Sequence, residues 1–237
     1  MEPKPVQQDL HPAYPTRRDV LAGAATFALA NLAGCSFVMV EPESGKVIVA
    51  PVFEHGAGRG VTGCDVVTPP VFLSEEEGLQ ILREELAKHR IQLKAGETLQ
   101  GVVVPARSES YESVNKGGKQ EFKKSVVEVP GEAKPLKLSG MDSGKEIAVE
   151  FVSAENYAAL GGTGRNGSVE IYDFKDAAQY VAAKAKQQGK DRVFLGIFYD
   201  PSPEKVGTEP SKEDAKKLLR QQARDFVAWL KEQKAIP

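Results

Sequence analysis

Apolar residues recur at helical intervals in three segments of the chain. The first runs from Glu75 to about Arg90 and follows a serine and a glutamate in capping-box spacing. The second follows Asp173, a candidate N-cap, and ends before Gly189. The third begins after Ser211 and should be the longest helix. Its apolar stripe comprises Ala215, Leu218, Leu219, Phe226, Trp229 and Leu230.

Strand patterns lie between these helices. The run "RVFLGIFYD" is apolar from end to end between Arg192 and Asp200, which is typical of a strand buried on both faces. Alternating or β-branched residues predict four further strands at Thr98 to Val104, Phe122 to Val129, Glu146 to Val152 and residues 168–174. The short run "KVIVAPVF" also has β-like character.

Three connecting segments carry other signals. Residues 54–63, "EHGAGRGVTG", are too glycine-rich to predict regular structure. Residues 108–120 are mainly polar, and we expect them to form an exposed hairpin loop. Residues 153–162, "SAENYAALGG", predict a short helix capped by Ser153.

The order of these elements indicates the fold class. A helix, several strands and a C-terminal strand-helix-strand-helix predict an α/β or α+β fold, with a mixed sheet covered by about three helices. If the two C-terminal strands share one sheet, they should pair in parallel through a right-handed crossover. The length from residue 74 to residue 237 suits a single domain.

The N-terminal region has the layout of an export signal. Arg17 and Arg18 precede a run without charge, from Val20 to Gly34, in which Ala, Gly, Thr and Asn dilute the hydrophobicity. This run is shorter than the ~20 residues that a membrane-spanning helix needs. A basic region, a short apolar region and small residues before a cleavage site are typical of a signal peptide.

Two motifs refine this prediction. "TRRDVL" resembles the twin-arginine export motif, and "LAGC" from Leu32 to Cys35 resembles the bacterial lipobox. The resemblance implies removal of residues 1–34 and a lipid on Cys35. The short β-like runs and the turn cluster after Cys35 predict that residues 35–73 form a tether with short strands, plus a strand or hairpin laid on the domain. The resemblance further implies a membrane anchor facing the periplasm, and Ser36 indicates the outer membrane.

Composition narrows the class of partner. The chain has 31 Lys and Arg against 33 Asp and Glu, interspersed, for a net charge of -2. We therefore expect no nucleic-acid partner. There are two cysteines, so a lipid on Cys35 leaves Cys64 without a disulfide partner. The expected contacts are the membrane, through Cys35, and an envelope protein.

Candidate chemistry is sparse. His55, Cys64 and Asp65 form a weak metal-ligand set, because a structural zinc site normally has four protein ligands. Residues 58–63 and 162–167 match G-x-G-x-x-G, but neither lies between a strand and a helix as a dinucleotide loop requires. We predict no cofactor.

Three carboxylates at predicted strand ends form a second weak set. Parallel strands would bring Glu150, Asp173 and Asp200 to one sheet edge, where they could bind a cation or perform acid/base chemistry. Each also has a local alternative: Asp173 as a helix cap, Asp200 in a turn, and Glu150 facing solvent. The sequence favours a binding or structural lipoprotein over an envelope hydrolase or cation-dependent enzyme, and it leaves a cofactor-binding protein open.

Overall fold

The computed structural model describes residues 46–63, 71–117, 119–129, 131–162, 164–166, 169–202 and 211–237. The helices of this part of the chain are α1 (Glu75–Ala87), α2 (Phe174–Gln188) and α3 (Lys212–Glu232). The strands are β1 (Ile48–Val49), β2 (Arg59–Gly63), β3 (Lys94–Ala95), β4 (Thr98–Val104), β5 (Arg107–Lys116), β6 (Lys119–Glu128), β7 (Lys134–Lys137), β8 (Gly140–Asp142), β9 (Ile147–Val152), β10 (Arg165–Asn166), β11 (Val169–Asp173) and β12 (Phe194–Tyr199).

A five-stranded mixed sheet organises these elements, in the order β1-β12-β9-β8-β3. Strands β1, β12 and β9 are parallel, whereas β8 is antiparallel to both β9 and β3. The predicted α+β architecture with a mixed sheet is therefore confirmed. Strand β1 comes from the segment that we expected to be a tether, and it lies at the sheet edge beside β12.

Each face of the sheet carries its own apolar core. Along β9, Ala148 and Val152 pack into a core with α2, whereas Ile147, Val149 and Phe151 pack into a core with α1 and α3. We call these the α2 face and the α1/α3 face. The alternation follows from the two-residue period of a strand.

The helices follow the sequence signals closely. Ser74 and Glu77 form the capping box of α1, and Asp173 and Ser211 cap α2 and α3 through their side chains. Helix α3 is the longest described helix, although Leu218 and Trp229 of its predicted stripe are only half-buried. Among the described residues, no helix combines the length and the apolar character needed to cross a membrane.

The glycine-rich segment contradicts our expectation. Residues 59–63 form β2, which pairs antiparallel with β11 in a small sheet with β10. Just before β2, Gly58 has φ +61°, and a Cβ there would lie 2.6 Å from the Tyr199 ring. Glycine is required here because the backbone passes tightly over an aromatic side chain, and the segment is ordered rather than irregular.

The polar segment 108–120 is also not a loop. It forms most of β5 and the start of β6, which pair antiparallel from Arg107 and Glu128 to Lys116 and Lys119. The reason is that a separate two-stranded ribbon can be solvated on its faces. It therefore needs little of the apolar alternation that identifies a half-buried strand.

Two further expectations were wrong in detail. Residues 154–161 form turns instead of a helix, because Asn156 binds the Ser153 backbone and hydroxyl through Oδ1 and the Phe151 carbonyl through Nδ2. The C-terminal strand-helix-strand-helix order is confirmed, but β11 and β12 lie in different sheets. They therefore do not form the parallel pair that a shared sheet would require.

Close packing of α1 against β9 yields a stability prediction. A Cβ on Gly78 would lie 2.2 Å from the Phe151 ring. Alanine gains about 1 kcal/mol of helix propensity over glycine, whereas overpacking a core costs about 1–3 kcal/mol. We expect Gly78→Ala to lower the free energy of unfolding in urea by up to about 2 kcal/mol.

The matched control is Gly144→Ala, where the nearest atom to the added Cβ is Asp142 Oδ1 at 3.5 Å. This substitution should change the free energy of unfolding by less than about 0.5 kcal/mol. A Gly78→Ala protein more stable than the wild type would show that helix propensity outweighs the contact with Phe151.

Candidate functional site

A cavity of about 530 Å³ opens beside the edge of the central sheet. Its volume lies in the range of small-molecule sites. Its walls come from α1, β3, β4, β7, β9, the segment between β7 and β8, and the turn after β9. They comprise Glu75, Arg83, Ala95, Gly96, Val104, Lys134, Pro135, Leu136, Lys137, Leu138, Ser139, Glu150, Asn156, Ala159 and Leu160. We call it the Glu150 cavity.

Glu150 is the buried polar group of this cavity. It lies in β9 on the α2 face and is only 2% exposed. Its Oε2 accepts hydrogen bonds from the Ser139 amide at 2.7 Å and the Ser139 hydroxyl at 3.0 Å. Its Oε1 accepts no hydrogen bond from the described residues and is open to the cavity. The expectation that Glu150 faces solvent is therefore wrong.

Burial keeps the Glu150 carboxyl neutral. Removal from water raises its pKa from the ordinary 4.5 to about 8, an effect that the Ser139 hydrogen bonds only partly offset and to which the charge of Glu75 adds. At pH 7 the group is therefore mainly a carboxylic acid. Because Oε2 already accepts two hydrogen bonds, the proton resides on Oε1. Glu150 thus presents an O–H donor to the cavity.

The walls comprise buried apolar residues, which we call the middle, and half-buried or exposed charged residues, which we call the margin. Leu136, Leu138 and Leu160 are buried apolar residues of the lining. Lys134 and Lys137 are exposed and Arg83 is half-buried, all three lining the cavity. Among the described residues of the lining, the only other ionisable side chains are Glu75 and Glu150. The margin therefore carries an excess of positive charge.

Asp200 lies on the other side of the sheet. It follows β12, is fully buried, and accepts hydrogen bonds from the Leu73 amide at 2.6 Å and the Ser202 amide at 2.9 Å. Leu73 belongs to the core of the α1/α3 face. Burial raises the pKa of Asp200 to about 6, although the two amides oppose the shift. Its role is to fix the chain that leads into α1.

Asp173 belongs to an ionic cluster at the N-terminus of α2. It accepts a hydrogen bond from the Asp176 amide, and its Oδ2 lies 3.2 Å from Arg59 Nε and 3.6 Å from Lys124 Nζ. Asp176 Oδ2 in turn lies 2.9 Å from Arg107 Nη2. Asp173 is therefore a helix cap held by two cations.

The three predicted carboxylates consequently do not share a cleft. Glu150 faces the α2 side of the sheet and Asp200 the α1/α3 side, because side chains of successive strand residues alternate between faces. Among the described residues, neither Asp173 nor Asp200 lines the Glu150 cavity. The joint acid/base or cation site at one sheet edge is not formed.

The predicted metal set is described only in part. His55 Nε2 lies 2.7 Å from Asp225 Oδ2 of α3, in an ion-pair geometry at the surface. Cys64 and Asp65 lie outside the described residues, as do Arg17, Arg18 and Cys35. Within the described ranges, no three His, Cys, Asp or Glu side chains are grouped so as to hold a metal ion.

A second cavity, of about 450 Å³, lies near the base of the β5–β6 ribbon. It includes Tyr157, Tyr172 and Glu109 among its walls. Glu109 Oε1 lies 3.2 Å from Lys124 Nζ, so this buried carboxylate already has a cationic partner. Glu109 is therefore not comparable to Glu150, which has no cation within hydrogen-bond distance among the described residues.

Comparisons with known proteins add no relative to this picture. No protein-family model, no curated protein and no solved structure matches the chain. The chemistry of the cavity walls is therefore the basis for inferring its ligand.

One sequence signal could have identified the site. Glu150 is the only charged residue in the strand "IAVEFV", and all six residues of that strand are buried. Ser139, which donates two hydrogen bonds to this carboxyl group, lies outside any predicted element. A lone acid inside a run of this type indicates either an edge strand or a buried, neutral carboxyl.

The raised pKa of Glu150 yields a pH prediction. The unfolded chain releases this proton near pH 4.5, whereas the folded protein keeps it until about pH 8. The protonated Glu150 contributes fully to the free energy of unfolding below pH 4.5. Between pH 4.5 and pH 8 this contribution decreases, by at most about 1.4 kcal/mol per pH unit. We expect Glu150→Gln to remove this decline, as measured by urea unfolding at about pH 5, 6, 7 and 8.

Asp200 contributes a decline of the same sign at lower pH, because its pKa is also raised. The difference between wild type and Glu150→Gln cancels that contribution. The control is Glu97→Gln, at an exposed position, which should keep the wild-type slope. Parallel curves for wild type and Glu150→Gln would contradict a buried, neutral carboxyl.

Proposed function

We propose that this protein is a lipid-anchored binding protein of the bacterial cell envelope, whose domain holds a small molecule in the Glu150 cavity. In this proposal residues 1–34 are a signal peptide with Arg17 and Arg18 as its export motif. Cys35 carries the lipid and holds the domain at the periplasmic side of a membrane, with the outer membrane as the destination.

The anchoring half of the proposal rests on sequence. The Leu-Ala-Gly-Cys order, the preceding apolar run and the distance from the N-terminus agree with a lipobox. A cysteine is required at this position because its thiol is the nucleophile that takes a diacylglyceryl group as a thioether. Each buried methylene of the lipid adds about 0.8 kcal/mol, so several chains on one residue anchor a protein stably.

The binding half rests on one observation: Glu150 is 98% buried (2% exposed) yet keeps an oxygen open to a cavity of about 530 Å³. This oxygen accepts no hydrogen bond from the described residues and can be reached from the cavity, so it is available to a molecule that enters. A ligand acceptor that receives the Oε1 proton would use this position. Catalysis by the strand-end carboxylates has less support, because Asp173 and Asp200 lie elsewhere.

Substitution of Cys35 tests the anchor. We expect the wild-type protein to partition with membranes and to have an intact mass that reflects loss of residues 1–34 and gain of lipid. Cys35→Ala should remove the lipid mass and release the protein to the soluble fraction. Cys64→Ala is the matched control and should leave both measurements unchanged. An unprocessed N-terminus and a soluble wild type would end the proposed anchoring.

Two adjacent alanines allow a matched test of the cavity. Ala159 lines the Glu150 cavity and Ala158 lines the second cavity, and both side chains are exposed. We expect a small molecule from the host to co-purify with the wild type at near-stoichiometric amounts, as measured by native mass spectrometry. Ala159→Trp should reduce its occupancy at least tenfold by filling the mouth, whereas Ala158→Trp should retain it. Equal occupancy in the two variants would argue against this cavity as the site.

A further inference from the structure

The chemistry of the cavity walls specifies more than a generic small molecule. We propose that the Glu150 cavity takes a free organic anion with an apolar middle, whose charged group lies at the cationic margin and whose other end offers a carbonyl or hydroxyl oxygen to Glu150. This inference rests on the proposed function, because it names the class of ligand that the same cavity binds.

The margin selects the charge of the ligand. Arg83 of α1 and Lys134 and Lys137 of β7 line the cavity, and the ion pairs of the described residues include none of these three cations. Among the described residues of the lining, Glu75 is the one acid besides Glu150, and Glu150 stays neutral. A carboxylate or phosphate at the margin gains charge-assisted hydrogen bonds, whereas an organic cation meets repulsion.

The apolar residues of the middle favour a ligand with a hydrocarbon segment. Val104, Leu136, Leu138 and Leu160 line the cavity and are buried in the protein core. They carry no side-chain donor or acceptor that a polar ligand segment could use. A hydrocarbon segment is therefore the part of the ligand that loses least on leaving water.

Glu150 determines which group the ligand carries at the end opposite its charge. The Ser139 amide and hydroxyl both bind Oε2 of Glu150, and the same hydroxyl oxygen accepts from the Phe151 amide at 3.1 Å. These bonds fix the carboxyl group and leave Oε1 for the ligand. A neutral acid donates there, so the fitting ligand group is an acceptor such as a carbonyl or hydroxyl oxygen.

Three simple probes separate these requirements. 10-Hydroxydecanoate has the anion, the apolar chain and the distal oxygen; decanoate lacks the distal oxygen; and 1,10-decanediol lacks the anion. The protein is the full-length Cys35→Ala chain, which carries no lipid at that residue and needs no detergent. We expect calorimetry at about pH 6.5 to show 10-hydroxydecanoate binding at least tenfold tighter than either of the others.

Variants assign each preference to its residues. Lys134 and Lys137 are exposed. The double variant Lys134→Ala with Lys137→Ala should lower the affinity for 10-hydroxydecanoate at least tenfold and leave the affinity for 1,10-decanediol unchanged. Glu150→Leu should abolish the preference for 10-hydroxydecanoate over decanoate. Its fold is checked by circular dichroism, because the Ser139 hydroxyl loses its acceptor and the Ser139 amide keeps only the Val149 carbonyl. The assignment is supported if Glu150→Leu still binds decanoate but no longer binds 10-hydroxydecanoate more tightly than decanoate.

A pH profile tests Glu150 independently of folding defects. Glutamine at this position can accept from Ser139 through its oxygen and donate to the cavity through its amide, without titrating. The charged groups that face Glu150 are Glu75 and Arg83 from α1 and Lys134 and Lys137 from β7. Wild-type affinity for 10-hydroxydecanoate should fall at least tenfold from about pH 6.5 to 9.5, whereas Glu150→Gln should stay within about threefold.

The outcomes distinguish this inference from the proposed function. If a host molecule is retained by the wild type and lost in Ala159→Trp, but 10-hydroxydecanoate binds no better than decanoate or the diol, the ligand class is wrong and the binding function stands. If neither a host molecule nor any probe binds, both are wrong. A pH profile for Glu150→Gln that matches the wild type would also overturn the role assigned to Glu150.

Discussion

The parallel pairing of β9 with β12 is the interaction on which the rest of the structure depends. Six consecutive residue pairs join the two strands, from Ile147 and Phe194 to Val152 and Tyr199. Every residue of β9 is buried, so both faces of this strand are committed to a core. A slip of one residue would exchange the two faces and transfer each apolar set to the wrong helix layer. The register therefore fixes where α1, α2 and α3 pack and which side chain enters the cavity.

The same register makes Glu150 an unusual choice of residue. Its neighbours Val149 and Phe151 contribute fully to the α1/α3 core, whereas Glu150 adds a carboxyl to the other face. An ionised carboxylate there would lose its hydration without gaining a cation within hydrogen-bond distance, so the group stays protonated. An apolar side chain at this position would stabilise the folded protein as much as Glu150 does, or more. Packing of the sheet therefore does not explain why a carboxyl stands at this position.

The sequence predicted the elements with strong local signals and missed those that depend on distant partners. Capping residues and apolar stripes located α1, α2 and α3, and the apolar run before Asp200 located β12. The strand β2 was missed because its order comes from β11 and Tyr199, more than 100 residues away along the chain. Likewise, the burial of Glu150 depends on Ser139 in a separate segment, and the opposite placement of Asp200 depends on the end of β12. Such long-range contacts leave no local periodicity to read.

The contrast between Glu150 and the acids of α2 shows how structural and functional carboxylates can be separated in this fold. Burial opposes the ionisation of Asp176, but Lys124 at 3.0 Å and Arg107 at 2.9 Å outweigh it and lower its pKa. These cations come from the β5–β6 ribbon, so the acid pairs tie the ribbon to the N-terminus of α2, where the helix dipole also favours negative charge. An acid with such partners is already satisfied and has nothing to offer a ligand. Among the described residues Glu150 has no cation within hydrogen-bond distance, keeps its proton and faces a cavity, and this combination is the basis on which we propose it as the group for recognition.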